Sequence, residues 1–172
     1  MPDIIIVAGP NGAGKTSFAN EYFRLQFGPF TFINADEIEK LLPSTISGAA
    51  RPTSAGRAML LEIDRVVTVG GNLAIETTLA TRQYVRRISD WRSRGYSIGL
   101  VYLRLPTVEH SIDRVRRRVA SGGHAIPEET IRRRFDKSWQ YFNALYRPLV
   151  DEWYVWESRE GEFVPLEAWD EQ

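Results

Sequence analysis

The segment IIIVAGPNGAGKTSFANEYF, residues 4–23, decides the fold. Residues 4–8 form a continuous apolar run of the kind buried on both faces of a parallel sheet. Gly9-Pro10-Asn11-Gly12-Ala13-Gly14-Lys15-Thr16 then matches G-x-x-x-x-G-K-[ST] without a gap, and residues 17–27 are expected to continue as a helix. Glycines let the backbone curl so that successive N–H groups converge on phosphate oxygens, and the helix N-terminus adds partial positive charge. Gly9 to Ser17 is therefore the expected nucleotide cradle. Lys15 is placed to reach the β- and γ-phosphates of ATP, and the Thr16 hydroxyl to ligate Mg²⁺.

Working outward, strand-like and helix-like segments alternate. Further strands are expected at residues 31–34, 72–76, 97–103 and 153–156. Val108, Ile112, Val115 and Val119 recur at helical spacing, as do Ile131, Phe135, Trp139 and Phe142. Residues 55–69 carry Met59, Ile63 and Val66 on one face before Gly70-Gly71. Another helix holds Val85, Ile88 and Trp91 and stops at Gly95. Residues 43–54 read as a loop, and the tail after Ser158 has no clear pattern. The expected fold is α/β: a three-layer P-loop NTPase fold of the kinase type, with a mostly parallel five-stranded sheet and helices on both faces. It forms one domain over residues 1–172, with a lid around 114–134.

Composition narrows the classes. The chain has 172 residues, 43% hydrophobic and 26% charged, as in ordinary globular proteins. No apolar run approaches the ~18 residues that span a bilayer, so no membrane partner is expected. The run at residues 4–8 is too short for a signal peptide. There is no cysteine, which fits the cytoplasm. The formal net charge is zero, which argues against nucleic acid as a partner. Three lysines stand beside nineteen arginines, whose planar fork of donors suits phosphate oxygens.

Several absences separate the branches of P-loop proteins. A guanine-reading N-K-x-D, a D-x-x-G, an L-S-G-G-Q and a strand ending in Asp-Glu are all missing, which directs the reading to a kinase. Asp36 follows the second expected strand, at the carboxyl edge where ligands of such sheets bind. Its carboxylate can accept the proton of an attacking hydroxyl. It can also cap a short helix, with Glu39 three residues later completing a capping-box-like pair, and the two roles are compatible. At the end of the third strand, Glu76 suits the water shell of Mg²⁺, and Thr77 and Thr78 suit substrate contacts; threonine is also an ordinary strand residue. In RVRRRVASGGHAIPEETIRRRF, two basic helices meet at Gly122-Gly123. Arginines on such a lid, with His124 beside the break, can stabilise transferring phosphate and exclude water. At least half of Arg114, Arg116, Arg117, Arg118, Arg132, Arg133 and Arg134 are expected on solvated faces. The alternative class is a regulatory or nucleic-acid-associated NTPase, including a polynucleotide kinase.

Taken together, GPNGAGKTS, NADEI, the AGR at 55–57, IETTL, and the RV, RV and GGHAIP run leading into RRRF resemble the zeta toxin family of P-loop kinases. They span residues 4 to 135 or so. The resemblance implies a five-stranded kinase fold that uses ATP and Mg²⁺. It implies a small-molecule acceptor, with UDP-N-acetylglucosamine as the candidate, and an antitoxin protein as partner. By position, Asp36 matches the family's catalytic aspartate, Lys15 and Thr16 its loop pair, Thr78 a substrate-contacting threonine, and Arg118 the first of two lid arginines. The chain departs from the pattern in two places. A glutamate that helps bind the sugar nucleotide falls on Leu60, with Glu62 two residues away. The second lid arginine falls near His124, with Arg133 and Arg134 as substitutes.

Overall fold

Ile4, Ile6 and Ala8 face one side of a sheet and Val7 the other, and all four are fully buried. Strand β1, Asp3–Ala8, can be apolar on both faces because helices cover both. The computed structural model describes residues 1–26, 30–48 and 50–169. Helix α1, Lys15–Gln26, follows the glycine-rich loop, and β2 is Thr31–Ile33. Next come α2, Ala35–Leu41, and α3, Ala50–Thr68. Strand β3, Leu73–Thr77, helix α4, Gln83–Ser93, and strand β4, Ser97–Arg104, follow. Helices α5, Val108–Ala120, and α6, Glu128–Tyr141, lead through one turn of π-helix, Phe142–Tyr146, into β5, Glu152–Arg159, and β6, Glu162–Ala168.

The sheet order is β2-β3-β1-β4-β5-β6, parallel throughout except for the antiparallel β5–β6 pair. The chain runs outward from β1 to β2, returns to β3 and crosses to β4. The carboxyl end of β1 therefore opens at the switch point where such sheets take their ligands. Ile63 and Met59 of α3, Tyr84, Ile88 and Trp91 of α4, and Phe142 and Tyr146 pack on one face with Ile6, Ile75 and Leu100. Phe18 and Ala19 of α1 pack on the other with Val7, Val101 and Leu103. Helices α5 and α6 meet each other through Ile112, Val115 and Ile131.

Three features differ from expectation. The sheet has six strands among the described residues, because the tail after Ser158 turns at Glu160-Gly161 and pairs back on β5. That strand is mostly exposed and contains Pro165, which an edge strand tolerates because one side of it makes no ladder bonds. Residues 50–54, expected within a loop, are helical: Pro52 lies in the first turn of α3, where a missing N–H costs nothing. The end of the helix expected at Phe27 lies outside the described residues.

The hairpin braces the nucleotide loop from behind. Phe163 meets Phe18 edge-on, with ring centroids 5.1 Å apart, and Trp156 stands 5.5 Å from the same ring. A Cβ at Gly14 would lie 3.3 Å from the Phe163 ring. Phe163→Ala is expected to lower stability by about 2 kcal/mol, short of the 3–5 kcal/mol for a fully buried aromatic, because Phe163 is only half-buried. Urea denaturation of the two proteins checks this.

Candidate active site

The loop Gly9–Gly14 leaves β1 in a conformation that glycine alone adopts easily. Gly9 has φ +145°, and a Cβ there would run into the Leu103 carbonyl. The loop is pinned by an Ala13 N–H to Pro10 carbonyl bond of 3.2 Å. From α5, the Ser111 hydroxyl donates to the Asn11 carbonyl, and Arg114 donates to the Gly12 carbonyl at 3.4 Å. The Asn11 Oδ1 is buried with no protein partner. Ser17 is exposed on α1.

Lys15 is buried, and its ammonium donates to the Pro10 carbonyl at 3.0 Å, with Glu76 Oε1 4.0 Å away. Burial pulls its pKa below the ordinary 10.5. Glu76 and Asp36 oppose that shift, while Arg118 and Arg134 add to it. Thr16 donates its hydroxyl proton to Glu76 Oε2 at 2.7 Å. Thus the residues expected at the triphosphate end, separated by 60 positions in the chain, touch.

Asp36 occupies the first turn of α2, and Asn34, not Asp36, caps that helix by accepting the Asp36 N–H at 2.7 Å. The capping alternative for Asp36 is thereby removed. Its side chain is 51% exposed to the cleft and stands 3.7 Å from an Arg118 nitrogen. Glu39 completes no capping box: it pairs with Arg51 at 3.6 Å and faces His124 Nδ1 at 3.8 Å. Arg51 also donates to the Glu39 and Ile46 carbonyls, tying α2 to the segment before α3.

After β3, Leu79 is fully buried yet has φ +58°, a conformation costly to a branched residue. Three bonds hold it there. Thr77 Oγ1 accepts the Leu79 N–H at 3.1 Å, Ser138 donates to the Thr78 carbonyl, and the Tyr146 hydroxyl donates to the Thr81 carbonyl. The segment presents Thr77, Thr78 and Thr81 to the cleft.

The seven arginines around Gly122-Gly123 divide cleanly. Arg114 donates to the Ser158 hydroxyl at 2.7 Å and Arg116 pairs with Glu128 at 3.0 Å. Arg117 pairs with Asp113 and Glu160, each at 2.7 Å, and Arg132 with Glu109 and Glu128 at 3.1 and 2.8 Å. Arg118, Arg133 and Arg134 instead line a cleft of about 710 Å³ shared with Lys15, Asp36 and Glu76. Arg118 donates to the His124 carbonyl at 3.2 Å, and its Nε is buried without a partner. Burial, then the neighbouring Arg133, lowers the pKa of Arg134, while Asp36 raises it. His124 lines both this cleft and an adjoining recess of about 360 Å³ beside Arg51.

On α3 the wall of the cleft is Pro52, Ala55, Gly56 and Met59. Leu60 packs against the core, and Glu62 points elsewhere, bonded to Arg65 at 2.6 Å. Glu62 therefore does not replace the carboxylate that the family pattern puts at Leu60. Arg51 and Ser138 carry no motif signal, and Asn34, though it opens the NADEI run, has no role in the sequence pattern; the contacts of Asn34 and Ser138 are with residues 42 and 60 positions away.

Comparison with known proteins agrees with this architecture. A family model described as Zeta toxin matches residues 1–161. A protein of Haemophilus influenzae, described only as uncharacterized, is 24% identical over 139 residues, covering 76% of this chain and 91% of its own. A chain of the AvrRxo1-ORF1:-ORF2 crystal structure with ATP has a TM-score of 0.76 at 15% identity over 98% of this chain, which spans 58% of that one. A chain of the PezAT chromosomal toxin–antitoxin system of Streptococcus pneumoniae has a TM-score of 0.68 at 18% identity, covering 95% of this chain and 71% of that one. At these identities the structural likeness establishes a shared fold. Among the described residues no helix is long and apolar enough to cross a membrane.

The burial of Lys15 has a measurable consequence. Its charged form is disfavoured in the folded state, so Lys15→Met is expected to leave the nucleotide-free protein as stable at pH 7, or more so. The unfolded chain holds that proton more tightly than the fold does. Wild type therefore gains stability relative to the variant as pH rises from the folded pKa towards 10.5. Urea melts of both proteins at pH 7 and 9.5 check the sign.

Proposed function

Because this chain belongs to the zeta toxin family, we propose that it is an ATP- and Mg²⁺-dependent kinase that moves the γ-phosphoryl group onto a hydroxyl of a small molecule. One observation carries the reading: the glycine-rich loop and an exposed carboxylate from α2 open on one cleft, with three arginines beside them, while Arg116, Arg117 and Arg132 are paired with carboxylates elsewhere. A hydrolytic switch needs a positioned water, whereas a kinase needs a base for an acceptor.

In this mechanism the loop amides and Lys15 hold the β- and γ-phosphates. The acceptor hydroxyl attacks the γ-phosphorus, a new O–P bond forms, the bond to the bridging oxygen breaks and ADP leaves. Asp36 takes the hydroxyl proton, held in place by Arg118. Arg118 and Arg134 stabilise charge on the transferring group, with Arg133 beside them, in a lid formed by residues 114–134. A hydroxyl and a carboxylate in contact, Thr16 and Glu76, are a donor set that would hold Mg²⁺. When bound, Mg²⁺ neutralises charge on the β- and γ-oxygens.

The acceptor enters beside Thr77, Thr78 and His124, and UDP-N-acetylglucosamine is the candidate. The wall at Ala55 and Met59, with Leu60 behind it, offers a sugar no carboxylate from α3, so other nucleotide sugars belong in the test. An antitoxin is the proposed protein partner and the cytoplasm the compartment.

ADP release and mass spectrometry of products, measured over nucleotide sugars, nucleosides and oligonucleotides with wild type and Lys15→Ala, test the reading. A phosphorylated small molecule formed by wild type alone supports it; turnover that needs an oligonucleotide, or yields only inorganic phosphate, overturns it. On the identified acceptor, Asp36→Asn is expected to keep ATP binding and lose transfer by about 10²–10⁴-fold. Full transfer by that variant would remove Asp36 as the base. Arg134→Ala is expected to slow transfer by about 10³-fold or more, while Arg132→Ala, whose side chain is spent on Glu109 and Glu128, leaves the rate within about twofold.

A further inference from the structure

Asn34 stands between β2 and α2, and its side chain is buried, with 6% of the residue exposed. A carboxamide carries an acceptor and a two-proton donor in one rigid plane, and here both are engaged. Oδ1 accepts the Asp36 N–H at 2.7 Å, fixing the first turn of α2. Nδ2 donates to Glu76 Oε2 at 2.6 Å, with the Thr16 hydroxyl oxygen 3.4 Å away. The network dictates this orientation: the flipped amide would set an oxygen against the Glu76 carboxylate and an NH₂ against the Asp36 N–H.

We infer that Asn34 is a positioning residue that joins the two halves of the cleft. It holds the Glu76 carboxylate on Thr16 and at the same time anchors the helix that carries Asp36. The inference rests on the kinase reading given above. A helix cap alone needs only an acceptor, which serine, threonine or aspartate supplies as well as asparagine. The donor half of the amide is what a cap leaves unused, and it is spent on Glu76 at the shortest distance in the cluster. Without it, Glu76 Oε2 keeps the Thr16 proton as its one hydrogen-bond donor here. Oε1 already faces Lys15 at 4.0 Å, so a released carboxylate swings towards the ammonium. The cation site is then disturbed, although Thr16 has not changed.

The test is titration calorimetry with ADP, in EDTA and then with saturating Mg²⁺, on wild type, Asn34→Ser, Glu76→Gln and the double variant. Wild type is expected to bind ADP more tightly with Mg²⁺. Asn34→Ser keeps a capping oxygen and is expected to melt close to wild type, to bind ADP in EDTA within about threefold of wild type, and to lose about tenfold of the Mg²⁺ enhancement. If Asn34 acts through Glu76, the double variant loses no more than Glu76→Gln alone. A folded Asn34→Ser with the full enhancement, or losses that multiply in the double variant, overturns the inference while leaving the kinase reading intact. A wild type with no Mg²⁺ enhancement overturns the assignment of Thr16 and Glu76, and the inference with it. Should Asn34→Ser fail to fold, Asn34→Thr, which fills more of the buried space, is measured in its place. Failure of both to fold makes Asn34 a structural cap and overturns the inference.

Discussion

An ammonium group in a protein interior needs acidic company, and the amine of Lys15 has little water around it. The arrangement of the cleft answers to that constraint. Glu76 comes from β3 and Asp36 from α2, both opposing the effect of burial, while Arg118 from α5 and Arg134 from α6 reinforce it. Four separate elements thus converge on one nitrogen at the end of β1. Positive charge is in excess among the groups nearest the loop, as the proposed ATP site requires. The same balance accounts for the Lys15 contact with the Pro10 carbonyl, which supplies a neutral acceptor where the carboxylates stand farther off.

The strained turn at Leu79 and the helix pair around Gly122-Gly123 are linked to this charge balance through α6. Ser138 lies one turn beyond Arg134 on that helix, accepts a hydrogen bond from the Tyr102 hydroxyl at 2.9 Å, and donates to the Thr78 carbonyl. Helix α6 is therefore fastened in its last turn to the segment that bears Thr77 and Thr78, while its start follows the glycine break. At the other end, near Gly123 and His124, the contacts come from Arg118 and Glu39.

Much of the architecture was legible from residues alone, for a physical reason. The phosphate loop is a local motif whose backbone geometry is written in consecutive glycines, and strands buried on both faces announce themselves as apolar runs. Five strands and the main helices followed. The sixth strand did not, because an exposed edge strand with a proline lacks the burial that produces a pattern. The start of α3 was hidden by Pro52, which reads as a loop residue unless the helix boundary is already known. In the site, Asp36 stood out by its place after a strand. Asn34 did not, because an asparagine before a helix reads as a cap, and its bond to Glu76 spans 42 positions. Likewise Arg118 and Arg132 have the same side-chain chemistry; the family resemblance singled out Arg118, and the pairing of Arg132 with Glu109 and Glu128 gives a physical reason for the difference.

The brace behind Gly14 has a consequence for biosynthesis. The glycine-rich loop comes early in the chain, and the aromatic ring that backs it, Phe163, lies 149 residues after Gly14. At about 5–20 residues per second, roughly 7–30 s separate their emergence during translation. Over that interval the nascent chain carries a nucleotide loop without its rear support. The supported loop is thus complete only once β6 has been synthesised and has docked.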